Sequence, residues 1–119
     1  MMRAAWTVSD ALQASVELGD QPITIHALIH GPHDPRGSVL FVLDRDSEDL
    51  QNPSLVIRDQ SVLEALLATA PCWVGGPMYQ DDIEVTGVVR TAVGSASIAE
   101  LTSVTRLVLF REGERFDVI

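Results

Sequence analysis

The chain has 119 residues, 46% apolar and 21% charged, which is the size of one domain with a core of its own. Seventeen acidic residues against eight basic ones leave a net charge of −9, which opposes the phosphate neutralisation that dominates nucleic-acid affinity. The single cysteine excludes an internal disulfide and a multi-cysteine zinc site, and no apolar run approaches the roughly 20 residues that span a bilayer.

All the basic residues are arginines, a usage expected of GC-rich bacterial coding. The opening MMRAAWTVSD lacks the continuous apolar segment of a secretory signal, so the expected address is the cytoplasm. Thr7 stands three residues before Asp10 as in a capping box, and Val8, Leu12 and Val16 recur at spacing four. A short amphipathic helix is therefore predicted from Thr7 to Leu18, ended by Gly19-Asp20 and prevented from resuming by Pro22.

From Ile23 the period changes to two. Ile23, Ile25, Ala27 and Ile29 fall on one face of a strand, and Thr24, His26, Leu28 and His30 on the other. Gly31-Pro32 breaks it, and His33-Asp34-Pro35-Arg36-Gly37 reads as a loop. His26 and His30 share a face but lie roughly 13 Å apart by the strand rise, too far to hold one ion. His30, His33 and Asp34 form a zinc- or iron-like donor set around the turn, at the spacing of no named motif. The expectation is outward, solvated histidines with no metal or cofactor.

Ser38 to Asp44 is a short apolar strand, followed by the charged stretch Asp44, Arg45, Asp46, Ser47, Glu48 and Asp49. This stretch lacks the central glycine and distal glutamate of a calcium loop, so it reads as a solvated acidic loop. Asn52-Pro53 turns the chain into a third strand, Ser54 to Arg58. Ser61 and Glu64 read as the capping box of a second helix with the apolar stripe Val62, Leu63, Leu66 and Leu67, stopped by Pro71. Cys72 follows a helix C-terminus, where the dipole disfavours a thiolate, and is expected as a small buried residue beside Trp73.

Gly75-Gly76-Pro77 lacks the ending of a phosphate loop, and no Gly-x-Ser-x-Gly elbow occurs, so nucleotide-binding and hydrolase templates are unsupported. Asp82 to Arg90 alternates as a fourth strand, with Gly87 as a bulge or bend. Leu101 to Phe110 is a last long strand, after which Glu112-Gly113 either lets it continue or turns it into a hairpin. Phe41 and Phe110 fall in apolar runs that favour burial. Trp6, Trp73, Tyr79 and Phe116 lie near element ends, where exposure is open to them.

Five strands with a helix between the third and fourth is the order of the oligonucleotide/oligosaccharide-binding barrel. ITIHALIHG resembles the first strand of such domains, and IEVTGVVR followed by LTSVTRLVL resembles their paired fourth and fifth strands. With the leading helix, the chain resembles small bacterial OB-fold-like proteins over about residues 7 to 110. The fold expected is thus mainly β with two helices (α+β), a single five-stranded OB-like barrel over residues 1–119.

The function expected is a non-enzymatic binding module without catalytic residues, engaging a protein partner through acidic loops. Its concrete form is an immunity or inhibitor protein that occludes a basic toxin, with Asp44, Asp46, Glu48, Asp49, Asp81 and Asp82 as charged contacts and Trp73 or Tyr79 as anchor. The alternatives are single-stranded nucleic-acid binding, with Arg58, Arg90 and Arg106 on phosphates, and an accessory subunit whose apolar patch lies in Phe116 to Ile119.

Overall fold

The computed structural model describes residues 6–31, 40–44, 54–73, 77–91 and 98–119. Each period-two segment becomes a strand: β1 (Ile23–Gly31), β2 (Leu40–Leu43), β3 (Ser54–Ile57), β4 (Tyr79–Thr91) and β5 (Ile98–Arg111). β1 pairs antiparallel with β2 and β4, β2 with β3, and β4 with β5, while β3 runs parallel to β5. That parallel pairing closes the circuit into a five-stranded OB-like barrel, which removes most of the open edge that a flat sheet would present.

Strand parity decides what enters the barrel. On β1 the alternate residues Ile23, Ile25, Ala27 and Ile29 are buried, and the register aligns Ile25 with Val85 and Ala27 with Ile83 on β4. Val85 and Ile83 in turn oppose Leu107 and Leu109 on β5, and all four are buried. Leu40 and Val42 of β2, Leu55 and Ile57 of β3, and Ala99 and Leu101 at the start of β5 join the same cluster. The outward positions of β1, β4 and β5 are consequently mostly polar, with Thr24, His26, His30, Asp82, Glu84, Thr86 and Arg106, and they also carry Leu28, Val108 and Phe110.

The leading helix forms in two pieces, α1 (Val8–Gln13) and α2 (Ser15–Leu18), interrupted at Ala14, whose φ of −93° and ψ of 3° leave the helical region. Thr7 is the N-cap as its position predicts, its hydroxyl accepting from the Asp10 N–H at 3.1 Å. Trp6 N–H donates to Thr24 O and His26 N–H to Trp6 O, so the segment before α1 covers the part of β1 that β2 does not reach.

The third helix, α3 (Gln60–Thr69), starts earlier than the Ser61/Glu64 pattern implies. Asp59 is its N-cap, accepting from Ser61 N–H at 3.0 Å and from the Ser61 hydroxyl at 2.7 Å. A carboxylate is the stronger acceptor for an unpaired helix N–H, and Ser61 serves it as donor instead of capping on its own account. The hydroxyl bond and then the backbone bond hold the Asp59 carboxyl below its ordinary range. Val62, Leu63 and Leu66 carry the buried face of α3 into the barrel core, whereas Leu67 is half exposed.

Past β5, Glu112 and Gly113 both take positive φ, 50° and 83°, the signature of a tight two-residue hairpin. It returns the chain as β6 (Glu114–Asp117), antiparallel to β5 from Val108 to Arg111. The pairing of β4 with β5 slips between Thr86 and Val88, as Gly87 predicts: a Cβ there would stand 2.8 Å from the carbonyl oxygen of Thr102. Opposite it Ser103 adopts φ 51°. No helix among the described residues is long and apolar enough to cross a membrane.

Candidate functional site

Several of the acidic and aromatic residues singled out in the sequence are engaged within the molecule. Asp44, at the end of β2, reaches the start of α1, where its carboxylate accepts from Val8 N–H at 2.7 Å, Ser9 N–H at 3.2 Å and the Ser9 hydroxyl. It supplies that helix with a second cap, a carboxylate beside the Thr7 hydroxyl. Asp46, Glu48, Asp49, His33 and Asp34 lie outside the described residues.

Tyr79, read as an accessible end-of-strand aromatic, is buried. It opens β4 on the inward parity opposite Gly31, and its hydroxyl donates to Ala70 O at 2.8 Å, tying the end of α3 to the barrel. Burial pushes the phenol up to about 12, with the neighbouring Cys72 thiol acting in the same direction.

Asp81, two positions on, also faces inward, and its side chain is 3% exposed. Arg111 Nε donates to Asp81 Oδ1 and Nη2 to Oδ2, each at 2.8 Å, a bidentate pair, while Nη1 donates to Pro71 O at 2.7 Å. The guanidinium lies 4.3 Å from the centre of the Trp73 ring, and the Trp73 indole N–H points at both Asp81 oxygens at 3.3 Å. Hydrogen bonding to that carboxylate pushes the Arg111 guanidinium above its ordinary value. Trp73 remains 43% exposed, so part of its ring still faces solvent. Cys72, expected to be buried beside it, is exposed, because the buried positions of this segment go to Ala70 and Tyr79.

The outward face of β1, β4 and β5 holds a different group. His26 Nε2 and Glu84 Oε2 lie 2.9 Å apart across the β1–β4 pair, and Asp82 opposes Phe110 across the β4–β5 pair. These four residues, with the intervening Ile83, line a depression of about 200 Å³. Phe110 is 38% exposed, which corrects its expected burial: Leu107 and Leu109 take the inward parity of β5, and period two then turns Phe110 outward. Parity also directs Glu84 and His26 there, and this is the signal from which the depression was readable in the sequence.

Each arginine considered for phosphate contact faces a carboxylate. Arg58 Nε lies 3.7 Å from Glu100, Arg90 pairs with Asp20, and Arg106 Nη1 lies 4.0 Å from Glu84. Among the described residues no three His, Cys, Asp or Glu side chains gather to hold a metal ion. His26 is exposed and His30 half-buried on the outer face of β1, as their parity predicts. In the C-terminal tail, Phe116 and Val118 pack partly against the core, and Ile119 is exposed. Neither the known protein families nor the characterised proteins with which the chain was compared include a match.

Proposed function

We propose that this chain is a non-enzymatic binding module of the cytoplasm that engages a basic protein partner, in the manner of an immunity or inhibitor protein, through the outer face of β1, β4 and β5. The observation that carries this reading is the exposed Phe110 set beside Asp82 and Glu84. An exposed aromatic flanked by charge has the composition of an interface anchor, and carboxylates steer a basic partner towards it. The acidic contacts of the proposed surface are thus Asp82 and Glu84, since Asp44 and Asp81 serve the fold and Tyr79 is buried.

Nucleic-acid binding is the less favoured reading. Arg58, Arg90 and Arg106 would have to leave Glu100, Asp20 and Glu84 before neutralising phosphates, on a chain already carrying −9. The deciding experiment is affinity capture from native lysate at low and high salt, with and without nuclease, followed by mass spectrometry. The expected result is one stoichiometric basic protein that survives nuclease, is released by salt and is lost when Asp82 and Glu84 are both changed to lysine. A captured signal that vanishes with nuclease would replace this reading by the nucleic-acid one.

A further inference from the structure

The depression has a definite chemical character. At about 200 Å³ it falls below the roughly 300–1,000 Å³ of small-molecule sites, so it suits a single side chain better than a metabolite or nucleotide. Two carboxylates in its lining repel anions, and desolvating them against a purely apolar group would be costly. Phe110 supplies an aromatic wall directly opposite Asp82 across the β4–β5 pair.

The same chain shows what such a pairing holds. On the inward side of β4, Asp81 grips Arg111 through two parallel hydrogen bonds while Trp73 stacks on the guanidinium. Asp82 and Phe110 are the immediate sequence neighbours of Asp81 and Arg111, and strand parity places them on the opposite face of the same two strands. The outward face therefore presents a carboxylate and an aromatic ring side by side, the two components of the inner clamp.

Resting on the proposed function, we infer that the depression formed by His26, Asp82, Glu84 and Phe110 receives an arginine side chain of the partner, stacked on Phe110 and hydrogen-bonded to the carboxylates. Arginine fits better than lysine because a planar guanidinium stacks on a ring and donates a bidentate fork at the same time, whereas an ammonium is a compact point charge. Arg106, which lies near Glu84, is not part of the lining, whereas His26 is, its Nε2 2.9 Å from Glu84 Oε2, so an incoming guanidinium shares that carboxylate with the imidazole.

The test is an NMR titration of the isotope-labelled protein with an end-blocked Gly-Arg-Gly tripeptide, run beside the same tripeptide carrying uncharged, isosteric citrulline. The expected result is saturable shift changes confined to the backbone around His26, Asp82, Glu84 and Phe110. They should be absent with citrulline, and the affinity should fall about tenfold or more in Phe110→Ala and in Asp82→Asn. Both variants alter outward side chains, and their own spectra report whether they are folded. Equal response to citrulline, or shifts spread over every acidic residue, overturns the arginine site. The capture experiment separates the two levels: a salt-sensitive partner bound equally by wild type, Phe110→Ala and Asp82→Asn overturns the arginine site and leaves the acidic-face reading standing. If capture yields no such partner, the broader reading fails, and the titration still decides the arginine site by itself.

Discussion

Replacing Arg111 by methionine keeps the length of the side chain and removes the cation from the inner clamp. Asp81 then loses both 2.8 Å bonds and keeps only the Trp73 indole N–H, at 3.3 Å from either oxygen, and the Gln80 N–H at 3.2 Å. Pro71 O loses its donor as well. Breaking a buried pair from one side costs about 3–5 kcal/mol, and the two remaining long bonds put the expectation near about 3 kcal/mol. That is a large part of the roughly 5–15 kcal/mol that holds a domain of this kind folded.

Urea unfolding followed by far-ultraviolet circular dichroism is the appropriate assay, because the emission of Trp73 changes whenever its stacked cation is removed. With a urea slope of about 1.5 kcal/mol per molar, the midpoint should fall by about 2 M. The double variant Arg111→Met/Asp81→Asn should be more stable than Arg111→Met alone, since no buried charge is then left uncompensated. A midpoint shift worth less than about 1 kcal/mol, or losses that simply add in the double variant, would refute the claim that the clamp is a coupled buried pair.

Tyr79 is the single tyrosine, so tyrosinate absorbance reports it alone, and in the folded protein it should titrate near 12 instead of the usual value of about 10. Its folded value is the higher of the two, so the associated stability is complete below about pH 10 and is lost as pH rises through about 12; a midpoint near about 10 with the fold intact would show the phenol to be solvated. Gly87→Ala forces a Cβ to within 2.8 Å of the Thr102 carbonyl oxygen, backbone that cannot swing aside, and should cost about 1–3 kcal/mol in the same urea assay. Asp44→Ala removes the second cap of α1 and should cost about 1 kcal/mol, seen as faster hydrogen exchange at the Val8 and Ser9 amides, whereas unchanged exchange there would deny the cap.

How far the fold was legible depended on how local its cause was. Period two on ITIHALIHG dictated which side of β1 is buried, and Pro71 limited α3, because both effects act within a few residues. Gly87 announced a slip in pairing that only a residue without a Cβ admits at that approach to Thr102. The N-cap of α3 was misplaced by two residues because Asp59 and Ser61 both have capping chemistry, and only their geometry shows the hydroxyl donating to the carboxylate. The extra length of β4 and β5 was hidden for a different reason: Tyr79 and Arg111 lie outside the alternating segments Asp82 to Arg90 and Leu101 to Phe110, and only pairing with Gly31 and Glu114 draws them into the sheet.

The candidate site was less legible, since acidity alone does not tell a carboxylate that serves the fold from one that serves a partner. Asp81 and Asp82 are adjacent and chemically identical, yet parity sends one into a clamp with Arg111 and the other to the surface beside Phe110. Their separation could have been read from the sequence once Ile83 and Val85 were assigned inward, for Asp81 shares their parity and Asp82 does not. What the sequence could not contain was the partner of each, which depends on β5 lying beside β4 in one register. A shift of one residue along β5 would turn Arg111 outward and Phe110 inward, exchanging the roles of the two faces. The inner clamp favours the observed register, because slipping would leave Asp81 buried without its cation, and by holding that register it also keeps Phe110 at the surface opposite Asp82.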